Sequence, residues 1–268
     1  MILLLLLSIF LHQAFSTPVN QPVSFSFSSF NNESCRNGSL ICMDSVTAYD
    51  GYLSLTSEPS PSLPLRKTGR VLYHQPVLAW PAMISTTFTV KIKPYSISLG
   101  SADGLTFIFA PDNRSSPLNS YGEYLGIANT TTGCNISQLA VELDTYKNSF
   151  DIDGNHIGID TTSPISIAAK SLNSANINLQ SGKLIKVQID YDGWTKMLYV
   201  SVAYSGYPLQ RFLEKPLILS ETVPSSVYVG FTAATGAISG SHRVIDWSFT
   251  TMPLPYHSLK NRKLINKP

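Results

Sequence analysis

The chain of 268 residues is short of charge: Asp, Glu, Lys and Arg make up 13%, against roughly a quarter in an average soluble domain. Disorder needs few apolar residues and many charges, and with 43% hydrophobic residues this chain has the opposite balance. Ala, Glu, Lys and Arg are too scarce for a coiled coil or a helical bundle. A basic face is missing as well. The formal net charge of +2 comes from the C-terminal segment, where Lys260, Arg262, Lys263 and Lys267 stand without an acid. Without them the body holds 15 basic and 17 acidic residues, a net of −2, so no nucleic-acid partner is expected. Three cysteines, Cys35, Cys42 and Cys134, are too few for a disulfide framework. Cys35 and Cys42 are close enough to staple a local loop, which would leave Cys134 unpaired, buried or available for an intermolecular bridge. The spacing leaves these pairings open. Beyond the first residues no stretch approaches 18 apolar residues, so no membrane span is expected.

The start of the chain points to secretion. Leu3–Leu7 with Ile9, Phe10 and Leu11 form an apolar run too short for a bilayer, followed by the small-x-small pattern Ala14-Phe15-Ser16. Residues 1–16 therefore read as a signal peptide, 17–252 as one domain and 253–268 as a basic, flexible tail. Five acceptor triplets for N-glycosylation, at Asn32, Asn37, Asn113, Asn129 and Asn135, suit a secreted glycoprotein.

Along the body the dominant period is two. Phe88, Val90 and Ile92 alternate with polar residues, as do Ile185, Val187 and Ile189. After Asp192-Gly193 the pattern continues through Leu198, Val200 and Val202, so 184–203 reads as a β-hairpin with one buried face. Further strands are expected at 23–30, 69–74, 105–110, 138–145, 227–233 and 243–250. The best helix candidate, Ala168–Asn176, lacks a sustained 3.6 period. About a dozen strands separated by turns predict an all-β, antiparallel sandwich.

The chemistry concentrates between Glu142 and Asp160. Residues two apart on a strand share a face, so Glu142 and Asp144 point the same way before the chain turns through Asn148 and Asp151. His156 begins a second alternating run able to return alongside. Converging carboxylates are costly unless a cation neutralises them. Oxygen ligands from Asp, Asn and a backbone carbonyl suit calcium, and an added imidazole suits a transition ion such as manganese.

These residues resemble a known family. Glu142-Leu-Asp144-Thr-Tyr146-Lys-Asn148, then Asp151, then His156-Ile-Gly-Ile-Asp160, is similar to the metal-binding segment of legume-type (L-type) plant lectins. Ala102-Asp103-Gly104-Leu105-Thr106-Phe107 resembles the first sugar loop, Tyr124-Leu125-Gly126 the second, and Val229-Gly230-Phe231-Thr232-Ala233-Ala234-Thr235-Gly236 with Trp247-Ser248-Phe249 the last loop and final strand. The likeness spans about residues 22–251 and implies a jelly-roll β-sandwich. Similar domains form the outer part of plant lectin receptor kinases, which Tyr191-Asp192-Gly193 also resembles. With no membrane helix or kinase in the sequence, a stand-alone lectin or a truncated gene product is expected.

The resemblance implies roles residue by residue. Glu142, Asp144, Asp151 and His156 would hold a manganese-type ion, with Ser166 reaching it through water. Asp144, Asn148, Asp151 and the carbonyl of Tyr146 would hold calcium. Asp103, following a cis Ala102–Asp103 peptide, would accept bonds from two sugar hydroxyls, and Asn148 would meet the sugar beside it. The Tyr146 ring would offer an apolar face, and loop 236–242, with Gly236 and Ala237, would add backbone contacts. Two departures stand out. At Gly122-Glu123-Tyr124, Glu123 replaces a glycine whose amide approaches the sugar, adding bulk and charge, and the segment from Asn148 to Asp151 is short, altering the calcium loop. Glycan sugars are the expected partners, the apoplast the expected location and a homodimer the expected assembly. Glycans at Asn113, Asn129 or Asn135 would stand in the way of that assembly. A lectin fold without sugar affinity, acting through protein contacts, is the alternative that Glu123 favours. A glycoside hydrolase on a similar sandwich would need a second glutamate where Tyr146 stands, and no nucleophile motif accompanies the five histidines.

Overall fold

A computed structural model describes residues 21–59, 62–129, 131 and 137–255. The expected signal peptide, Cys134, Asn135 and the tail from 256 onward lie outside the described residues.

The alternating segments are strands. β1 (Val23–Phe27), β2 (Leu40–Asp44), β3 (Thr47–Tyr49), β4 (Tyr52–Ser54), β5 (Thr68–Tyr73), β6 (Val77–Leu78) and β7 (Ala82–Pro94) fill the first third. β8 (Gly104–Ala110), β9 (Leu139–Asp144), β10 (His156–Asp160) and β11 (Ala168–Ser171) follow. β12 (Ile185–Asp192) and β13 (Met197–Tyr204) form the expected hairpin, then come β14 (Gln210–Pro216), β15 (Ser226–Ala234) and β16 (Gly240–Pro253). Each partner pair is antiparallel, and the strands form two sheets. The back sheet runs β14-β13-β12-β7-β16-β4-β3, with β1 also on β16. The front sheet runs β11-β10-β9-β8-β15-β5-β2, with β6 also on β15. This is the expected antiparallel sandwich.

Several expected strand bounds shift by a residue, and larger differences fall elsewhere. The strand expected over 23–30 ends at Phe27, and the one expected over 243–250 spans Gly240–Pro253, so residues 240–242 belong to a strand and not to the loop assigned to 236–242. The helix candidate at Ala168–Asn176 divides into β11 and a 3-10 turn at Leu172–Ala175. Among the described residues the one α-helix, Leu219–Thr222, has four residues. At the C-terminal boundary, Leu254 is buried and its N–H donates to the Pro81 carbonyl, so packing continues past 252.

The main core is aromatic. Trp247 of β16 meets Phe231 of β15 edge-on at 5.0 Å, and Phe231 meets Phe88 and Phe107 at 5.0 and 5.4 Å. These rings join back to front sheet, each buried ring contributing about 1.5–3 kcal/mol. A second, smaller core covers the outer face of the front sheet. There Leu72, Ile108 and Ala140 pack beneath Leu125, Ile127 and Ala128. That core pins the segment carrying Glu123 onto the strands that carry the carboxylates. Cys35 and Cys42 form a disulfide that closes the loop before β2, which decides between the open pairings for these two residues.

Candidate metal and ligand site

β9 lies between β8 and β10, and all six of its residues are buried. Leu139, Val141 and Leu143 enter the main core, so Glu142 and Asp144 project from the opposite face. The register with β10 sets His156 opposite Asp144 and Gly158 opposite Glu142. A Cβ at position 158 would stand 2.0 Å from Ser166 Oγ and 2.2 Å from Glu142 Oε1. Glycine is therefore what lets the Glu142 side chain lie across β10. One ligand atom each from Glu142, Asp144 and His156 falls within 4.8 Å of the others, and all three side chains are buried.

Their hydrogen bonds fix the set. His156 Nδ1 is 2.8 Å from the Asp153 carbonyl, which can only accept, so Nδ1 carries a proton and Nε2 is turned toward Glu142 Oε1 at 3.2 Å. Ser166 Oγ donates to Glu142 Oε1 and lies 2.9 Å from Asp160 Oδ1. Asp160, fully buried, keeps Oδ2 without a partner. Burial, and then the Glu142 charge, push Asp144 up to about 9. The same two causes hold Asp160 well above the carboxylate range. Burial opposes charge on His156, but the hydrogen bond to Glu142 and the charges of Asp144 and Glu142 outweigh it and raise the imidazole to about 9. Every one of these shifts reports negative charge gathered out of water, and the carboxylate and imidazole donors fit a transition ion.

The oxygen-rich side adjoins this set. Tyr146 N–H donates to Asp144 Oδ1 at 2.7 Å, and Asn148 N–H donates to Asp151 Oδ2 at 2.6 Å. Asn148 Oδ1 is enclosed and has no hydrogen-bond partner, as suits an oxygen reserved for a hard cation such as calcium. Asp151 stands outside the mutually close group and turns its carboxylate into the short turn from Asn148; burial raises it above the ordinary carboxylate range, the Asn148 N–H opposes this and the Glu142 charge adds to it.

The expected ligand loops meet above these residues. The Ala102–Asp103 peptide is cis. Asp103 N–H donates to Ala234 O, and Asp103 O accepts from Thr145 N–H and Oγ1. Gln180, which sequence reasoning missed, ties Ser101 N–H to the Thr145 carbonyl. Asp103 is 5% exposed, and its Oδ2 has no partner. Gly236 lines it so closely that a Cβ there would sit 2.8 Å from Asp103 Oδ2 and 3.4 Å from Gly122 Cα. Glu123 lies in a 3-10 turn, Gly122–Tyr124, and its Oε2 accepts from Asn148 Nδ2 at 3.4 Å. Burial and then Glu123 raise Asp103 to about 7. Tyr146 is 40% exposed and Ala237 is exposed at the rim. Asp160 stood in the quoted motif without a role; its place four residues beyond His156 on one strand is the signal that puts it on the same face. Asn32, Asn37 and Asn113 are exposed and Asn129 is half-buried.

Comparison with known proteins agrees with this geometry. The family model described as legume lectin domain matches residues 22–265. The bark lectin of Styphnolobium japonicum is 33% identical, with 85% of each chain covered. An L-type lectin-domain containing receptor kinase (VIII.2) of Arabidopsis thaliana is 35% identical over 75% of this chain and 29% of its own length. Among solved structures, basic winged bean lectin with Tn-antigen superposes with a TM-score of 0.74 at 30% identity, covering 86% of this chain and 98% of that one.

Proposed function

The chain belongs to the legume lectin domain family, whose shared domain binds carbohydrate and is not itself an enzyme, and on that premise we propose that it is a secreted lectin whose site is organised by calcium and a manganese-type ion. Glu142, Asp144, Asp151 and His156 would hold the manganese-type ion, with Ser166 linked through water. Asp144, Asn148, Asp151 and the Tyr146 carbonyl would hold calcium. When bound, the ions supply the positive charge that the gathered carboxylates need. The protein's own groups do the recognition. Asp103 accepts from two sugar hydroxyls, Asn148 Nδ2 donates to a third oxygen, the Tyr146 ring covers apolar C–H groups, and the chain at Gly122, Gly236 and Ala237 shapes the rim.

The observation that carries this reading is the buried Asp103 carboxylate, with Oδ2 unpartnered in a cradle that only glycine at 236 leaves open. A single monosaccharide should bind at roughly 0.1–1 mM, about 4–5.5 kcal/mol, with several sites giving biological strength. A glycan array run with calcium and manganese, beside a chelated control, tests it. Chelator-sensitive binding to a coherent sugar set is expected, and Asp103→Ala should abolish it while metals and fold remain. Silence from a folded, metal-loaded protein, and from Glu123→Gly, refutes it.

A second reading has its own support. Glu123 Oε2 takes the Asn148 Nδ2 donor that a sugar oxygen would use. Signal from Glu123→Gly alone would favour a lectin fold acting through protein contacts. The exposed Asn32, Asn37 and Asn113 support secretion as a glycoprotein, and β1, which among the described residues pairs only with β16, offers a free strand edge for a homodimer.

A further inference from the structure

A cavity of about 860 Å³ lies between the segment that leaves the 3-10 turn after β11 and the back-sheet strands β13 and β14. It shares no residue with the cleft around Asp103. Ile177, Val202, Ala203 and Phe212 are the buried part of its lining, and Leu184 and Tyr207, 39% and 73% exposed, stand at its mouth. Hydrogen bonds hold the walls apart. Asn178 N–H donates to Tyr204 Oη at 2.9 Å, Ser205 N–H to the Leu184 carbonyl at 2.8 Å and Gly182 N–H to the Ile92 carbonyl at 3.0 Å. The space is thus built into the fold, and sites for small molecules usually measure about 300–1,000 Å³. Charge in it has one sign. None of the lining residues is acidic, and Lys183 is the one cation among them. Its ammonium stands 5.1 Å from the Tyr204 ring centroid, and among the described residues it belongs to no ion pair.

We propose that this cavity binds a monocarboxylic acid with an unbranched aliphatic tail, a ligand of the free fatty acid class, with the carboxylate on Lys183 and the tail against Ile177, Val202 and Phe212. An apolar tail is drawn in by the area it removes from water. A carboxylate head gains a charge-assisted hydrogen bond from the Lys183 ammonium, a neutral head gains less, and a cationic head is repelled. Lys170 does not compete for the head, because its Nζ donates to the Phe212 carbonyl at 2.9 Å. The tail is aliphatic for two reasons. Lys183 lies over the Tyr204 ring and Lys170 over the Phe212 ring at 4.8 Å, so one face of each aromatic ring is already covered. The walls that remain, Ile177, Leu184, Val202 and Pro208, are aliphatic, and a chain can fill a space that a single flat ring would leave largely empty.

Calorimetric titration at pH 7 of the calcium- and manganese-loaded protein tests this with octanoate, octan-1-ol and octylammonium, which share a tail and differ in the head, and with hexanoate and phenylacetate. Octanoate should bind about tenfold tighter than octan-1-ol and tighter still than octylammonium. Each methylene added between hexanoate and octanoate should tighten binding about fourfold. Lys183→Met keeps the apolar stem and removes the charge, so octanoate should fall to within about threefold of octan-1-ol while the alcohol binds as before. Ala175 is exposed at the mouth, and Ala175→Trp should weaken acid and alcohol alike by filling the space. Equal binding of the three heads, indifference to tail length, or an acid preference that survives Lys183→Met overturns the inference. So does phenylacetate bound more tightly than octanoate, or no octanoate bound by the folded protein. No sugar enters these titrations, so each of those results leaves the lectin reading standing.

Discussion

Gly158→Ala should separate metal binding from folding. Gly158 has ordinary extended backbone, so alanine suits its dihedral angles; the conflict is one of space. An ordinary contact for the new methyl is about 3.4 Å, and it would find Ser166 Oγ at 2.0 Å and Glu142 Oε1 at 2.2 Å. Ser166 is half-buried and can rotate away. Glu142 is 2% exposed with Oε1 already shared by His156 and Ser166, so its carboxylate must retreat by about 1 Å. Metal–ligand distances tolerate only about 0.2 Å. Overpacking should cost the metal-free protein about 1–3 kcal/mol, and each kcal/mol lowers Tm by about 2–4 °C in a domain of this size. Manganese should bind about 10–100-fold more weakly, removing about 1.4–2.7 kcal/mol of metal-induced stabilisation. Thermal melts in chelator and in manganese separate the two effects. A variant that melts lower in chelator yet gains as much from manganese as wild type would show that Glu142 is no ligand, and the assignment built on β9 would fall.

Two further outcomes concern His242 and the disulfide. His242 is fully buried, has Nε2 unpartnered, and is held by burial at about 3. Between pH 6.5 and 3 the unfolded chain therefore binds a proton that the folded chain does not, so stability is lost as pH falls through that window. The raised carboxyls Asp103, Asp144 and Asp160 push the other way as pH falls, but act equally in wild type and His242→Gln. Urea unfolding of both chelated proteins at pH 6.5 and 4.5 should therefore show wild type losing on the order of 2–3 kcal/mol relative to the variant; parallel slopes would refute it. Removing the Cys35–Cys42 bridge with a Cys35→Ser, Cys42→Ser double substitution opens a loop of about eight residues and should cost about 2.5 kcal/mol, read as a lower urea midpoint. An unchanged midpoint would mean the bridge constrains nothing in the unfolded chain.

Much of this was legible beforehand, for reasons that differ by element. β7, β12 and β13 announce themselves because each has one buried and one wetter face, so sequence and burial share a period of two. β2 to β4 do not. Leu40–Asp44 is mostly half-buried without alternation, and Asp44 takes a left-handed conformation that ends the strand early. The pairing of Glu142 and Asp144 on one face needed only the strand period, and the return of His156 needed only a second strand. The permissive role of Gly158 was hidden, since it depends on a register two strands share. Gln180 was hidden too, because the contact it makes with Thr145 joins segments 35 residues apart. Glu123 was visible as a departure, while its bond to Asn148 belongs to tertiary structure.

The division between strand-borne and loop-borne groups has a consequence for how this protein can change. Glu142, Asp144 and His156 sit on interior strands, where a substitution disturbs two neighbours at once. Glu123 and Ala237 sit on a single 3-10 turn and a loop, both at least partly open to solvent, where substitutions cost little stability. Surface chemistry at the rim can therefore drift without disturbing the strand-borne carboxylates and imidazole. Duplicated copies of such a gene could diverge in the glycan they answer to while folding through the same unaltered scaffold.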